Sequence, residues 1–309
     1  MPFMEQLERG LLRLGSPVLV GLDPQLDGIP EGVLRRDSIL PAEGVAVGVL
    51  RFCQGVVDVV WPLVAAVKPQ AAFFEQLGPP GMAALAEVIQ YAQSKGLLVI
   101  LDAKRNDIGS TARAYADGIL GRGRGPWGAD AVTVNPYLGD DALAPFVEVA
   151  VERGAGAFVL VKTSNPGGRL FQDLVCEGRA VYEHVGAHVE ELARQTAGAG
   201  RYGAVGAVVG ATYPEQLARL RSQMPHTWFL VPGFGAQGAG ARDVAGAFDP
   251  QGTGALINNS RGIIFAYRRP EYAGRFGPSR WQEAVEAATR DMIEQLRGET
   301  PAGRLARGT

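Results

Sequence analysis

The apolar run at residues 96–100 passes into LDAKRNDIGSTA at residues 101–112, which brings Asp102, Lys104 and Asp107 within six residues of one another. Side chains at i and i+2 share a face of a strand, so Asp102 and Lys104 point one way and Ala103 the other. Lys68, at the end of the apolar run LVAAVKP, adds a second ammonium. Charges that alternate in sign stabilise one another, which keeps each lysine protonated and each carboxylate ionised. Such a set offers a fixed cation and a transferable proton, but no obvious base. The competing reading is an ion-pair network that braces the strand ends, with Asp107 capping a helix that begins near Ser110.

A second set of residues points to an anion. GFGAQG at 233–238 fits the pattern G-x-G-x-x-G, but the dinucleotide version belongs to the first strand-helix unit and is followed by an acid about 20 residues on. Here it comes late in the chain, and the next strand ends in NNSRG. The glycines therefore read as a phosphate cradle, with Gln237 and Arg261 as further donors. His184, His188 and His226 end no strand, and EHVGAH lacks the Glu that a zinc-protease helix places between its histidines. There is no G-x-S-x-G elbow, Walker loop or cysteine cluster, which argues against triad, P-loop and zinc chemistry.

These residues have to be held by the elements around them. Eight short apolar runs end in polar clusters: PVLVGLD, LVAAVKP, LLVILDAK, DAVTVNP, GAFVLVKTS, GAVVGAT, WFLVPGFG and GALINNSRG. Helix-like stretches lie between them, from AEGVAVGVLRFCQGVVDVV at 42–60 to GAGARDVAGAF at 238–248, and WQEAVEAATRDMIEQLRG closes the series. Alternating β and α, with strands apolar on both faces, implies a parallel sheet. Eight units without a linker favour an α/β fold of the (β/α)₈ TIM-barrel type, with extra N- and C-terminal helices, over an open doubly wound sheet. The expected organisation is one barrel domain over 1–309, with a core of about 15–265 and a frayed tail at 298–309. The C-terminal strand ends then share one rim, which carries Asp23, Lys68, Asp102, Lys104, Asn135, Ser164, Thr212, Gln237 and Arg261.

Bulk properties narrow the field. The chain has 309 residues, 47% of them hydrophobic, and a formal charge of -2, so no global field recruits nucleic acid. Cys53 and Cys176 do not make a disulfide framework, which fits a reducing cytoplasm. The acidic amphipathic start is unlike a signal peptide, and Arg51, Asp58 and Pro62 break the longest apolar stretch, so no membrane span is expected.

DAKRNDIGSTA at 102–112 resembles the D-x-K-x-x-D-I signature of the orotidine 5'-phosphate decarboxylases, and KTSNPGG, PGFGAQG and NNSRGI resemble the longer bacterial-type branch of that family. The likeness runs from LDP at 22 to RGI at 263. It implies conversion of orotidine 5'-monophosphate to uridine 5'-monophosphate and CO₂, a lyase step of pyrimidine biosynthesis, with no metal or organic cofactor. By motif position Lys104 is the implied proton donor to C6, flanked by Asp102, and Lys68 contacts the ribose and orders the charges. Asp23 is the implied acceptor for a ribose hydroxyl, Ser164 reads the pyrimidine edge, and Gln237 and Arg261 hold the phosphate. Asp107, with Ile108 and Thr111, would reach the site of a second subunit, which implies a homodimer. Two alternatives stay open: a related metal-dependent sugar-phosphate decarboxylase or synthase, and a non-catalytic nucleotide-binding barrel.

Overall fold

Strands that are apolar on both faces need a covered sheet, and here the sheet closes on itself. The computed structural model describes residues 1–34, 41–235 and 238–307. Its barrel strands are β1 (Val18–Leu22), β2 (Ala66–Pro69), β3 (Leu98–Arg105), β4 (Ala131–Val134), β5 (Gly156–Lys162), β6 (Val205–Val209), β7 (Phe229–Val231) and β8 (Ala255–Asn259). All neighbouring strands pair in parallel, and β1 joins β8 to close the ring, with Gly21 opposite Lys68 and Val20 opposite Asn259. This is the expected (β/α)₈ barrel. Most of the strands are buried along their whole length, as parallel strands between a filled interior and an outer layer of helices must be.

The helices follow from spacing. α1 (Phe3–Leu14) buries Phe3, Met4, Leu7 and Leu11, one stripe of an amphipathic helix. It closes the N-terminal end of the barrel, where Phe3 meets Phe158 edge-on at 6.2 Å. α2 (Ala42–Val60) buries Val49, Phe52, Cys53, Val56 and Val60 at the same periodicity. α3 (Gly78–Ser94), α4 (Gly109–Ile119), α5 (Asp140–Arg153), α6 (Val181–Thr196) and α7 (Pro214–Gln223) fill the following connections, and α8 (Trp281–Glu299) packs across α2. None of the described helices is long and apolar enough to cross a membrane.

Two expectations need correcting. The helix expected over 238–248 shrinks to Ala241–Val244 and a 3-10 turn at Ala245–Ala247. Three glycines weaken it, and Gly246 is pressed against Ala218, where an added Cβ would lie 2.7 Å from that side chain. The tail expected to fray is a 3-10 stretch at Pro301–Arg307 that packs on α1 and α8 with Ala302 and Leu305 buried. Two apolar side chains suffice to anchor it, because α1 and α8 already meet there: Arg297 donates to the carbonyls of Leu14 and Gly15.

Candidate active site

The charged residues lie where β2, β3 and β4 end together. β3 runs to Arg105, and its pairing with β4 shifts register between Leu101 and Arg105. Within that irregularity Lys104 takes the left-handed conformation, φ 47°, which costs a residue with a Cβ roughly 1–2 kcal/mol. A bulge re-aims side chains at a strand end. Here it leaves Asp102 and Lys104 on the same side, as simple alternation predicts, and Ala103 on the other.

Asp102 is the hub. Its Oδ2 accepts from Lys68 Nζ at 2.7 Å and Gln70 Nε2 at 3.0 Å, and its Oδ1 accepts from Lys104 Nζ at 2.6 Å and Thr133 Oγ1 at 2.8 Å. A carboxylate has about four lone-pair sites, so this one is fully occupied. Burial works against its charge, but Lys68 and Lys104 outweigh burial and hold Asp102 well below the usual carboxylate range. Burial likewise opposes the Lys68 ammonium, and Asp102 and Asp23 outweigh it, so Lys68 sits above its ordinary value. The expected ionisation, with Asp102 charged and Lys68 protonated, follows from these contacts.

Two cavities meet at Lys104. The deeper one, about 350 Å³, is lined by Lys68, Asp102, Lys104 and Thr133 on one side and by Leu160, Val208, Leu230 and Pro232 on the other, with Ser164 and Asn165 at its edge. The outer one, about 630 Å³, holds Asp23, Gln25, Gln70 and Arg261. Asp23 Oδ1 is buried and has no hydrogen-bond partner among the described residues. Arg261 is exposed at the mouth and forms no ion pair with a described carboxylate. Ser164 is held from behind: Thr212 donates to its carbonyl at 3.1 Å, and Gly210 passes so close that an added Cβ would lie 2.7 Å from its N and Cα.

Not every expected residue joins this group. Asp107 makes no ion pair with a described residue; its Oδ1 accepts only the Ile108 amide, at 2.8 Å. Nor does it cap α4, whose N-cap is Ile108 without a side-chain bond. Ile108 is 56% exposed, and Thr111 lines a separate, mostly apolar groove of about 350 Å³ behind β3, beside Ala103, Tyr115 and Trp127. Asn135 Oδ1 accepts the Tyr137 amide, a turn contact away from the chemistry. Gly233, Gly235 and Gly238 have φ of 105°, 71° and 90°, which glycine alone adopts freely, but the Gly235 and Gly238 amides bond within their own loop. Gln237 lies outside the described residues. The histidines stand apart: His184 bonds the Cys176 carbonyl and His226 bonds Glu190.

Gln70 and Thr133 were missed from sequence. Gln70 is two residues beyond Lys68 and could have been found by the alternation that paired Asp102 with Lys104. Thr133 is the one polar residue in the strand AVTV, a weaker signal.

Residues 18–275 match the model of the family described as "Orotidine 5'-phosphate decarboxylase / HUMPS family". The chain belongs to that family. An orotidine 5'-phosphate decarboxylase of Rhodopirellula baltica is 55% identical over 303 residues, covering 96% of this chain and all of the relative. One from Halobacterium salinarum is 42% identical over 299 residues, 96% of this chain and 98% of the relative. Among solved structures, a putative orotidine 5'-phosphate decarboxylase from Streptomyces avermitilis superposes with a TM-score of 0.77 at 36% identity, covering 96% of this chain and 95% of that one. The Leishmania donovani OMP decarboxylase gives 0.74 at 33% identity, covering 97% and 98%. The family match spans the whole barrel, including the strand ends that carry Asp23, Lys68, Asp102, Lys104 and Ser164.

Proposed function

We propose that this site decarboxylates orotidine 5'-monophosphate with Lys104 as the proton donor. The reaction gives uridine 5'-monophosphate and CO₂. The C6–carboxylate bond breaks, its electron pair stays on C6, and the Lys104 ammonium delivers a proton to that carbon. The pair on C6 is poorly delocalised by the ring, so a cation fixed beside it is the stabiliser the step needs. The observation that carries this reading is the Asp102 hub, which holds two ammonium groups at 2.7 and 2.6 Å at the wall of a half-apolar cavity.

Asp23, with its unpartnered buried oxygen, is suited to accept from a ribose hydroxyl, and Ser164 to meet the pyrimidine edge. Arg261 and Gln237 take the phosphate, the glycine loop serving as its frame. Asp107, Ile108 and Thr111 act in the site of a partner subunit. Their support is that Asp107 makes no ion pair with a described residue while the neighbouring Ile108 exposes apolar surface. Nucleotides of this charge do not cross bilayers unaided, so the enzyme works in the cytoplasm. The metal-dependent sugar-phosphate reading is less favoured, because the closely similar relatives are named decarboxylases of orotidine 5'-phosphate.

Lys104→Ala tests the donor. Its side chain is 45% exposed, so the fold should survive the change. We expect kcat to fall by at least about 10³-fold with product binding retained, since both proton transfer and charge stabilisation are lost. Residual turnover near the parental level would remove Lys104 from its role.

A further inference from the structure

We infer that Thr133 is a positioning residue for the decarboxylation, fixing the backbone of Lys104 and the carboxylate of Asp102 with a single hydroxyl. The inference rests on Lys104 being the proton donor. Thr133 is 1% exposed in β4, with apolar neighbours on either side along the strand. Its Oγ1 donates to Asp102 Oδ1 at 2.8 Å and accepts the Lys104 amide at 2.9 Å. Its one proton and one of its lone pairs are therefore committed to the two residues that flank the chemistry.

The reason lies in the irregularity of β3. Where the pairing with β4 slips, residues 102–104 stand against Thr133 alone and lose the regular ladder. The Lys104 amide is the group so released, and a side-chain oxygen from the neighbouring strand replaces the missing carbonyl. A residue with a Cβ keeps a left-handed conformation only when its surroundings over-determine it, and this bond is the one that holds the Lys104 amide. Thr133 is itself stiff about χ1, and its pairing opposite Phe158 of β5 fixes its backbone. Without the hydroxyl, Lys104 is free to relax towards the extended region, which would swing its Nζ away from Asp102. Displacement of a reacting group by about 1 Å is enough to cost on the order of 10²-fold in rate.

The test compares Thr133→Val, Thr133→Ala and Thr133→Ser by steady-state kinetics, alongside thermal melting. Valine keeps the shape and the β-branch but removes both bonds; serine restores them. We expect the Val and Ala variants to lose about 10- to 100-fold in kcat while KM stays within about threefold, and serine to recover most of the loss. If the Val variant fails to fold, the Ala variant carries the comparison. Parental kcat in both, a change confined to KM, or a serine variant no better than valine would each overturn the assignment. Inactivity of the parental protein itself would instead remove the decarboxylase reading on which it rests.

Discussion

Asp102 is crowded by four donors, and that crowding sets how the site answers to pH. Its folded pKa is depressed, so the stability it contributes is present above the ordinary aspartate value of about 3.9 and fades as pH falls below it. Lys68 is raised, so its contribution is complete below the ordinary lysine value of about 10.4 and fades only as pH climbs past it. Between about pH 5 and 9 neither group changes state, and kcat should show no limb from either. An acid limb in that window that disappears in Asp102→Asn would contradict the hub. The alternation of side chains along a strand was enough to place Asp102 beside Lys104 from sequence. The left-handed turn at Lys104 was not legible, because it arises from a slip between β3 and β4 that only the closed barrel imposes.

The ends of β5 and β6 show how elements place a binding group. Gly210 lets the chain lie against Ser164, where a methyl group would meet backbone atoms rather than a flexible side chain. Gly210→Ala should therefore lower stability by about 1–3 kcal/mol and raise the KM for the nucleotide more than it lowers kcat. Unchanged melting and KM would show that Ser164 does not depend on this approach. The strands themselves could be read from their apolar runs, and α2, α6 and α7 from their periodicity. The short helix at Ala241–Val244 could not, since Gly246 just beyond it packs against Ala218 and that demand is tertiary. For the same reason Thr212, a rim residue without an evident task in sequence, proves to brace Ser164 from the next strand.

At the scale of the whole molecule, the barrel arranges one complete cluster of Lys68, Asp102 and Lys104 and leaves Asp107 outside it, without an ion pair to a described residue. If sites are shared between subunits, mixing Asp102→Ala with Asp107→Ala protein should recover about a quarter of parental activity, since half the dimers are then mixed and each rebuilds one of two sites. No recovery after demonstrated subunit exchange would count against sharing. Eight alternating units were enough to forecast the closed barrel. The ordered tail was not, because Ala302 and Leu305 matter only once α1 and α8 have met. The most direct measurement is the absorbance of the orotate chromophore when purified protein meets orotidine 5'-monophosphate, with and without EDTA. Loss of the chromophore at the same rate in both is the expected result. A folded protein that leaves it unchanged, or that consumes it only when a divalent metal is restored, would contradict metal-free decarboxylation at Lys104.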